Sequence, residues 1–172
     1  MPRLRASALV AIVVLAGCGG TTETKTVTVT RTSTVTSPPT GLPTAVALTH
    51  ARLLSAAEAG DYDRLRPLIP ADGFTYSYGA DETGPIAYWQ HLEATTDERP
   101  LETLAALLRM PYTLNHGLYV WPFAYDKTKP DLTAYERRLL GPFADSYVGA
   151  NYFGWRAGIK PDGTWLFFIS GD

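Results

Sequence analysis

Three histidines, a single cysteine, one arginine set between glycines and a scatter of carboxylates are the residues of this chain that could do chemistry. His116 falls in the loop Asn115-His116-Gly117, where an imidazole can meet both solvent and substrate, and it is the first candidate for a general base. His91 follows Trp89-Gln90 on a helix and is expected to face a cavity, which makes it the second catalytic candidate. His50 falls on an earlier helix at a position read as exposed. No two of the three stand at metal-ligand spacing, and the chain has neither a serine-nucleophile elbow nor a phosphate-cradling glycine loop, so no metal or cofactor is expected. Asp61, Asp63, Asp126, Asp131 and Asp145 stand beside turns and caps, which accounts for them without catalysis.

Arg156 lies in the clearest element of the sequence. The segments from Tyr152 to Lys160 and from Thr164 to Ser170 flank Pro161-Asp162-Gly163. Proline first and glycine last suit a three-residue hairpin loop with a left-handed third residue. That loop pairs Lys160 with Thr164, Ile159 with Trp165, Ala157 with Phe167 and Trp155 with Ile169. One face is then wholly apolar, formed by Phe153, Trp155, Ala157, Ile159, Trp165, Phe167 and Ile169. The other sets Arg156 between Gly154 and Gly158, an open and weakly packed surface on which the arginine holds an anionic group or pairs with a carboxylate such as Asp172. Tyrosine and tryptophan join apolar area to a polar handle, so Trp89, Tyr78 and Trp121 complete the candidate ligand-binding set with Arg156.

These residues need elements to position them. Thr44 can cap a helix running to about Ala59, with Val46, Leu53, Leu54 and Ala57 as its apolar stripe. Gly60 stops it, and Asp61 caps a short helix from Tyr62 to Leu68. A strand is expected from Phe74 to Tyr78, a helix from Pro85 through Glu93, and another from Leu101 to Met110. A strand from Tyr119 to Tyr125 is broken or edged by Pro122, and a helix from Leu132 to Leu140 ends at Gly141-Pro142. Every aromatic residue lies after Asp61, so residues 44–172 read as one globular domain of about 130 residues, large enough for a real core.

The rest of the chain is of another kind. Arg3 and Arg5 precede an apolar run from Ala6 to Ala16, interrupted only by Ser7. This is the layout of a secretory signal, and the run is far shorter than the roughly 20 residues of a membrane span. It ends in Leu15-Ala16-Gly17-Cys18, which resembles the lipobox of bacterial lipoproteins. The resemblance implies cleavage after residue 17, lipid on the Cys18 thiol, and a protein held on the extracytoplasmic face of the cell membrane. From residue 18 to residue 43 the chain is low in complexity, with threonine at every second position from Thr24 to Thr36 and no aromatic residue. A strand with nothing to bury cannot offset its ordering entropy, so this reads as an extended stalk reaching at most roughly 80 to 90 Å. Without Arg3 and Arg5 the chain carries 13 basic and 17 acidic residues, a formal charge of −4. That balance argues against nucleic acid as a partner.

Helices, a strand, further helices and a C-terminal antiparallel hairpin, opened by the link Ala-Gly-Asp-Tyr-Asp between two helices, resemble the cone-shaped fold of nuclear-transport-factor-2-like proteins. The fold class is therefore α+β, with N-terminal helices packed on a curved antiparallel sheet; the alternative is a small Src-homology-3-like barrel with a helical N-terminal half, suggested by Asp162-Gly163-Thr164-Trp165. The function read from all this is a lipid-anchored, non-catalytic module binding a small molecule, a glycan or an envelope protein. The alternative is an envelope hydrolase- or isomerase-like enzyme using a pocket histidine or aspartate with Arg156.

Overall fold

The computed structural model describes residues 41–79 and 83–171. The signal segment, Cys18, most of the stalk and Asp172 lie outside them. The described part is α+β, with five α-helices, an antiparallel four-stranded sheet and a second sheet of two strands.

Helix α1 (Thr44–Glu58) buries Val46, His50, Leu53, Ala56 and Ala57, a stripe with helical spacing. Pro43, not Thr44, holds the N-cap position, and its carbonyl accepts the first helical bond from Ala47 N–H at 2.9 Å. Gly60, at φ +65°, turns the chain out of α1. Asp61 then caps α2 (Tyr62–Leu65) by accepting the Arg64 N–H, and a 3-10 turn over Arg66–Leu68 completes the predicted second helix. Helices α3 (Pro85–Thr95) and α4 (Pro100–Leu108) each open on proline, where a missing N–H costs nothing.

The main sheet has the order β1-β2-β5-β6. A two-residue turn at His116 and Gly117 joins β1 (Thr113–Asn115) to β2 (Leu118–Trp121). Both turn residues have positive φ, +47° and +81°, the backbone that a tight hairpin demands. The strand expected to run on to Tyr125 stops at Trp121, because Pro122 has no N–H for the ladder; Phe123–Asp126 forms a 3-10 turn instead. The strand expected from Phe74 to Tyr78 shrinks to one parallel bridge, Thr75 to Phe167, held between Gly73 (φ +75°) and a turn in which Gly79 N–H bonds Ser77 Oγ.

Helix α5 (Ala134–Leu140) begins with a full capping box between Thr133 and Glu136. A 3-10 turn then leads into the small sheet of β3 (Tyr147–Val148) and β4 (Asn151–Tyr152).

The hairpin of β5 (Arg156–Ile159) and β6 (Trp165–Ile169) keeps the predicted loop and first pairs, with Lys160 N–H on the Thr164 carbonyl and Ile159 opposite Trp165. The register then shifts by one. Gly158 faces Phe167, Ala157 faces Phe168 and Arg156 faces Ile169. The extra residue is Leu166, whose carbonyl accepts the Thr75 N–H at 3.0 Å. One inserted residue exchanges the faces of everything beyond it. Phe168 therefore enters the core, and Phe167 lies over Gly158, so the glycine face is not open as expected. A Cβ built on Gly158 would overlap the Phe167 ring.

Two apolar clusters result. Trp89, Trp121, Trp165, Phe168, Leu53, Leu104 and Leu107 anchor the main one, between α1, α3, α4 and the sheet. Met110, Phe123, Leu132, Leu140, Tyr147 and Tyr152 form a second one under α5 and the small sheet.

Candidate functional site

The histidines fall in unexpected places. His50, expected exposed, is only 4 % exposed. Its Nε2–H donates to the carbonyl of Leu108 at the end of α4 (2.8 Å), and its ring lies 5.1 Å from that of Trp121. A carbonyl can only accept, so the neutral ring carries its proton on Nε2. Burial pushes its pKa below the ordinary histidine range, against the opposing pull of the Leu108 carbonyl. His91, expected to face a cavity, is exposed: Ile86 and Trp89 mark the buried side of α3, and two residues past Trp89 the helix has turned away. His116 is exposed at the tip of the β1–β2 turn. Among the described residues no side chain is hydrogen-bonded or ion-paired with either ring.

Of the ligand-binding candidates, Arg156 and Tyr78 meet. Arg156 is 6 % exposed. Its Nη2 donates to Tyr78 Oη (2.8 Å) and to the Gly171 carbonyl (2.7 Å), and its Nη1 donates to the Gly154 carbonyl (3.3 Å). The rings of Tyr78 and Tyr125 lie 5.9 and 5.8 Å from its central carbon. The guanidinium thus ties the 74–79 loop, the strand β5 and the C-terminal segment together. Tyr78 covers it while remaining 58 % exposed. Trp89 and Trp121 are 0 % exposed and present no surface to a ligand. Their indole N–H groups, like that of Trp165, have no acceptor among the described residues.

The residues that do converge on an open concavity were not singled out by sequence. A cleft of about 550 Å³ opens where the end of α1, the start of α2, α3 and the start of α4 meet. Ala57, Ala59, Gly60 and Leu101 give it an apolar part; Tyr62, Glu93, Arg99 and Glu102 give it polar groups. Each polar group is placed by a local rule. The turn at Gly60 and the Asp61 cap put Tyr62 at the first position of α2. Its hydroxyl is buried beside the Glu93 carboxylate and has no hydrogen-bond partner among the described residues. Burial first, and then that carboxylate, raise the phenol far above its usual pKa, so it stays protonated as a donor. Arg99 stands before the first turn of α4, its Nη1 donating to the carbonyls of Thr96 (3.2 Å) and Glu98 (2.7 Å). Glu102 lies in the first turn of α4, where its charge suits the helix dipole. Glu58, which also lines the cleft, is paired with Arg109 at 2.9 Å.

Comparison with protein-family models, curated proteins and solved structures finds no match for this chain. Among the described residues no helix is long and apolar enough to cross a membrane, and no group of three or more His, Cys, Asp or Glu could hold a metal ion.

Proposed function

We propose that this chain is a lipid-anchored protein of the bacterial cell envelope whose folded domain binds a small polar molecule, a glycan among them, in the cleft between α1–α2, α3 and α4. The anchor rests on the basic start, the short apolar run and Leu15-Ala16-Gly17-Cys18. Acylation of Cys18 places the domain on the extracytoplasmic face of the membrane, and the threonine-rich stalk sets its reach. The helices and the antiparallel sheet ending in a hairpin support the finer reading of a nuclear-transport-factor-2-like cone.

The observation that carries the binding reading is the lining of the cleft. Three carboxylates, of which Glu58 is already paired with Arg109, and a guanidinium stand around an apolar part within one concavity of ligand size. A molecule with several hydroxyl or amino groups finds donors and acceptors there at once. Ala59 lines this cleft and is exposed, so Ala59→Trp fills it from the surface without entering the core. A panel of envelope sugars, peptidoglycan fragments and polyamines, screened by thermal shift on the wild type, should give at least one stabilising compound. Ala59→Trp should abolish that shift while leaving the melting temperature of the free protein nearly unchanged. A hit that Ala59→Trp leaves intact would place binding elsewhere. For the anchor, Cys18→Ala should move the protein from the membrane to the soluble fraction with a mass lacking lipid; membrane retention at unchanged mass would refute it.

A further inference from the structure

A second concavity lies on the opposite kind of chemistry, and its charge has a local cause. The segment from Lys127 to Arg138 carries the cations Lys127, Lys129, Arg137 and Arg138 and only two acids, Asp131 and Glu136. Both acids are already engaged. Glu136 is held by Lys127 and closes the capping box with Thr133. Asp131 accepts the hydroxyl of Thr128. Lys129 and Arg137 are left without an acidic partner among the described residues, and these two line one open hollow of about 340 Å³. Its remaining walls are Pro130 and the backbone of Gly149 and Ala150 in the β3–β4 turn. Those walls are fastened to each other, because Lys129 N–H donates to the Ala150 carbonyl at 2.8 Å. Lys129 is therefore carried on a braced segment and Arg137 on helix α5, beside a surface that is otherwise apolar.

We propose that this hollow is an oxyanion site that takes a phosphate group, with the Arg137 fork and the Lys129 ammonium on its oxygens and the carbon body of the ligand against Pro130 and Ala150. Arginine offers paired donors in a plane and lysine a mobile point charge, which together serve a group with three or more acceptor oxygens better than a carboxylate with two. The chain as a whole is net acidic, −2 at pH 7, so this local excess of positive charge is not a reflection of overall composition. The phosphate has two sources in an envelope: the headgroup of an anionic lipid or a soluble phosphorylated molecule. The site is separate from the cleft proposed above and does not depend on it.

The test uses the full chain carrying Cys18→Ala, so that no acyl chain holds it to lipid. Inorganic phosphate is titrated at constant ionic strength, with chloride as the matched reference, and backbone amide shifts are followed by NMR. In parallel the protein is floated with vesicles of phosphatidylglycerol or of phosphatidylcholine. Phosphate should shift the amides of Lys129, Arg137, Gly149 and Ala150 beyond the chloride reference. Arg137→Gln and Lys129→Gln, both at exposed side chains, should each weaken binding about tenfold or more, while Arg138→Gln, which does not line the hollow, should leave it within about twofold. Flotation with phosphatidylglycerol but not phosphatidylcholine, lost in Arg137→Gln, would assign the lipid headgroup as the source. Phosphate binding without such flotation would assign a soluble phosphorylated molecule. Shifts no larger than with chloride together with flotation insensitive to Arg137→Gln would overturn the proposal, as would Arg138→Gln proving as damaging as Arg137→Gln, since that pattern is diffuse electrostatics.

Discussion

His50 should make the stability of this domain fall with acid in the window just below neutrality. The imidazole is buried between α1, the end of α4 and Trp121, and in its neutral form it already satisfies the Leu108 carbonyl. Protonation would add a charge in that setting, so the folded-state pKa lies below the 6.5 of a free histidine. The sign follows. The unfolded chain takes up a proton near pH 6.5 that the folded one refuses, so the contribution is complete above that value and is lost as pH falls toward the folded pKa. For one proton the slope is at most about 1.4 kcal/mol per pH unit, so the loss reaches up to about 1.4 kcal/mol near pH 5.5 if the folded group is still neutral there. His50→Gln keeps an N–H donor for Leu108 and cannot titrate. It gives up the ring contact with Trp121 and should cost about 1 to 2 kcal/mol near pH 8. Urea unfolding of both proteins at about pH 8, 7, 6 and 5.5 reads the difference directly. The gap between wild type and His50→Gln should narrow steadily below about pH 7. If the two curves stay parallel, or if the wild type gains on the variant in acid, the folded protein protonates His50 at least as readily as the unfolded chain and the reasoning is wrong.

Other substitutions probe other contacts. Gly158→Ala pushes a methyl group into the ring of Phe167 and should cost about 1 to 3 kcal/mol by thermal unfolding; most of that should return in Gly158→Ala combined with Phe167→Leu. Tyr78→Phe removes one acceptor from Arg156 and should cost about 1 kcal/mol, whereas Arg156→Met strips the donor from Gly154 and Gly171 together and should cost more, with faster hydrogen exchange at the Gly171 amide, which is bonded to the Phe153 carbonyl. Equal losses in the two variants would refute the latch. Glu136 is held at about 2, below the usual 4.5, first by the Lys127 ammonium and then by the Thr133 N–H. A depressed carboxylate stabilises the fold above its ordinary pKa and ceases to as pH falls toward 2, so Glu136→Gln should flatten the acid limb of a circular-dichroism titration between about pH 4.5 and 2.

Where the sequence was legible and where it was not follows from the range of the interactions involved. Asp61, Pro85 and Thr133 mark helix starts by bonds or constraints within a few residues, so the helices were readable to within a turn. Even the burial of His50 was present in the pattern, because it sits four residues after Val46 and three before Leu53, on the stripe that α1 turns inward; its polar ring drew the opposite reading. The hairpin register was a different matter. Trp165-Leu166-Phe167-Phe168-Ile169 is apolar throughout, so alternation is equally satisfied with either set of side chains facing the core. The bulge at Leu166 coincides with a bridge to Thr75, far away in sequence, and no local rule contains that partner. The cleft is non-local in the same sense. Tyr62, Glu93, Arg99 and Glu102 each have a sufficient local explanation as cap, helix or first-turn residues, and only the packing of α1, α3 and α4 turns four such residues into one site. A search for clustered chemistry along the chain finds His116 and Arg156, one at a turn tip and one in a structural latch. The groups that share a concavity are those whose local roles had already seemed to account for them.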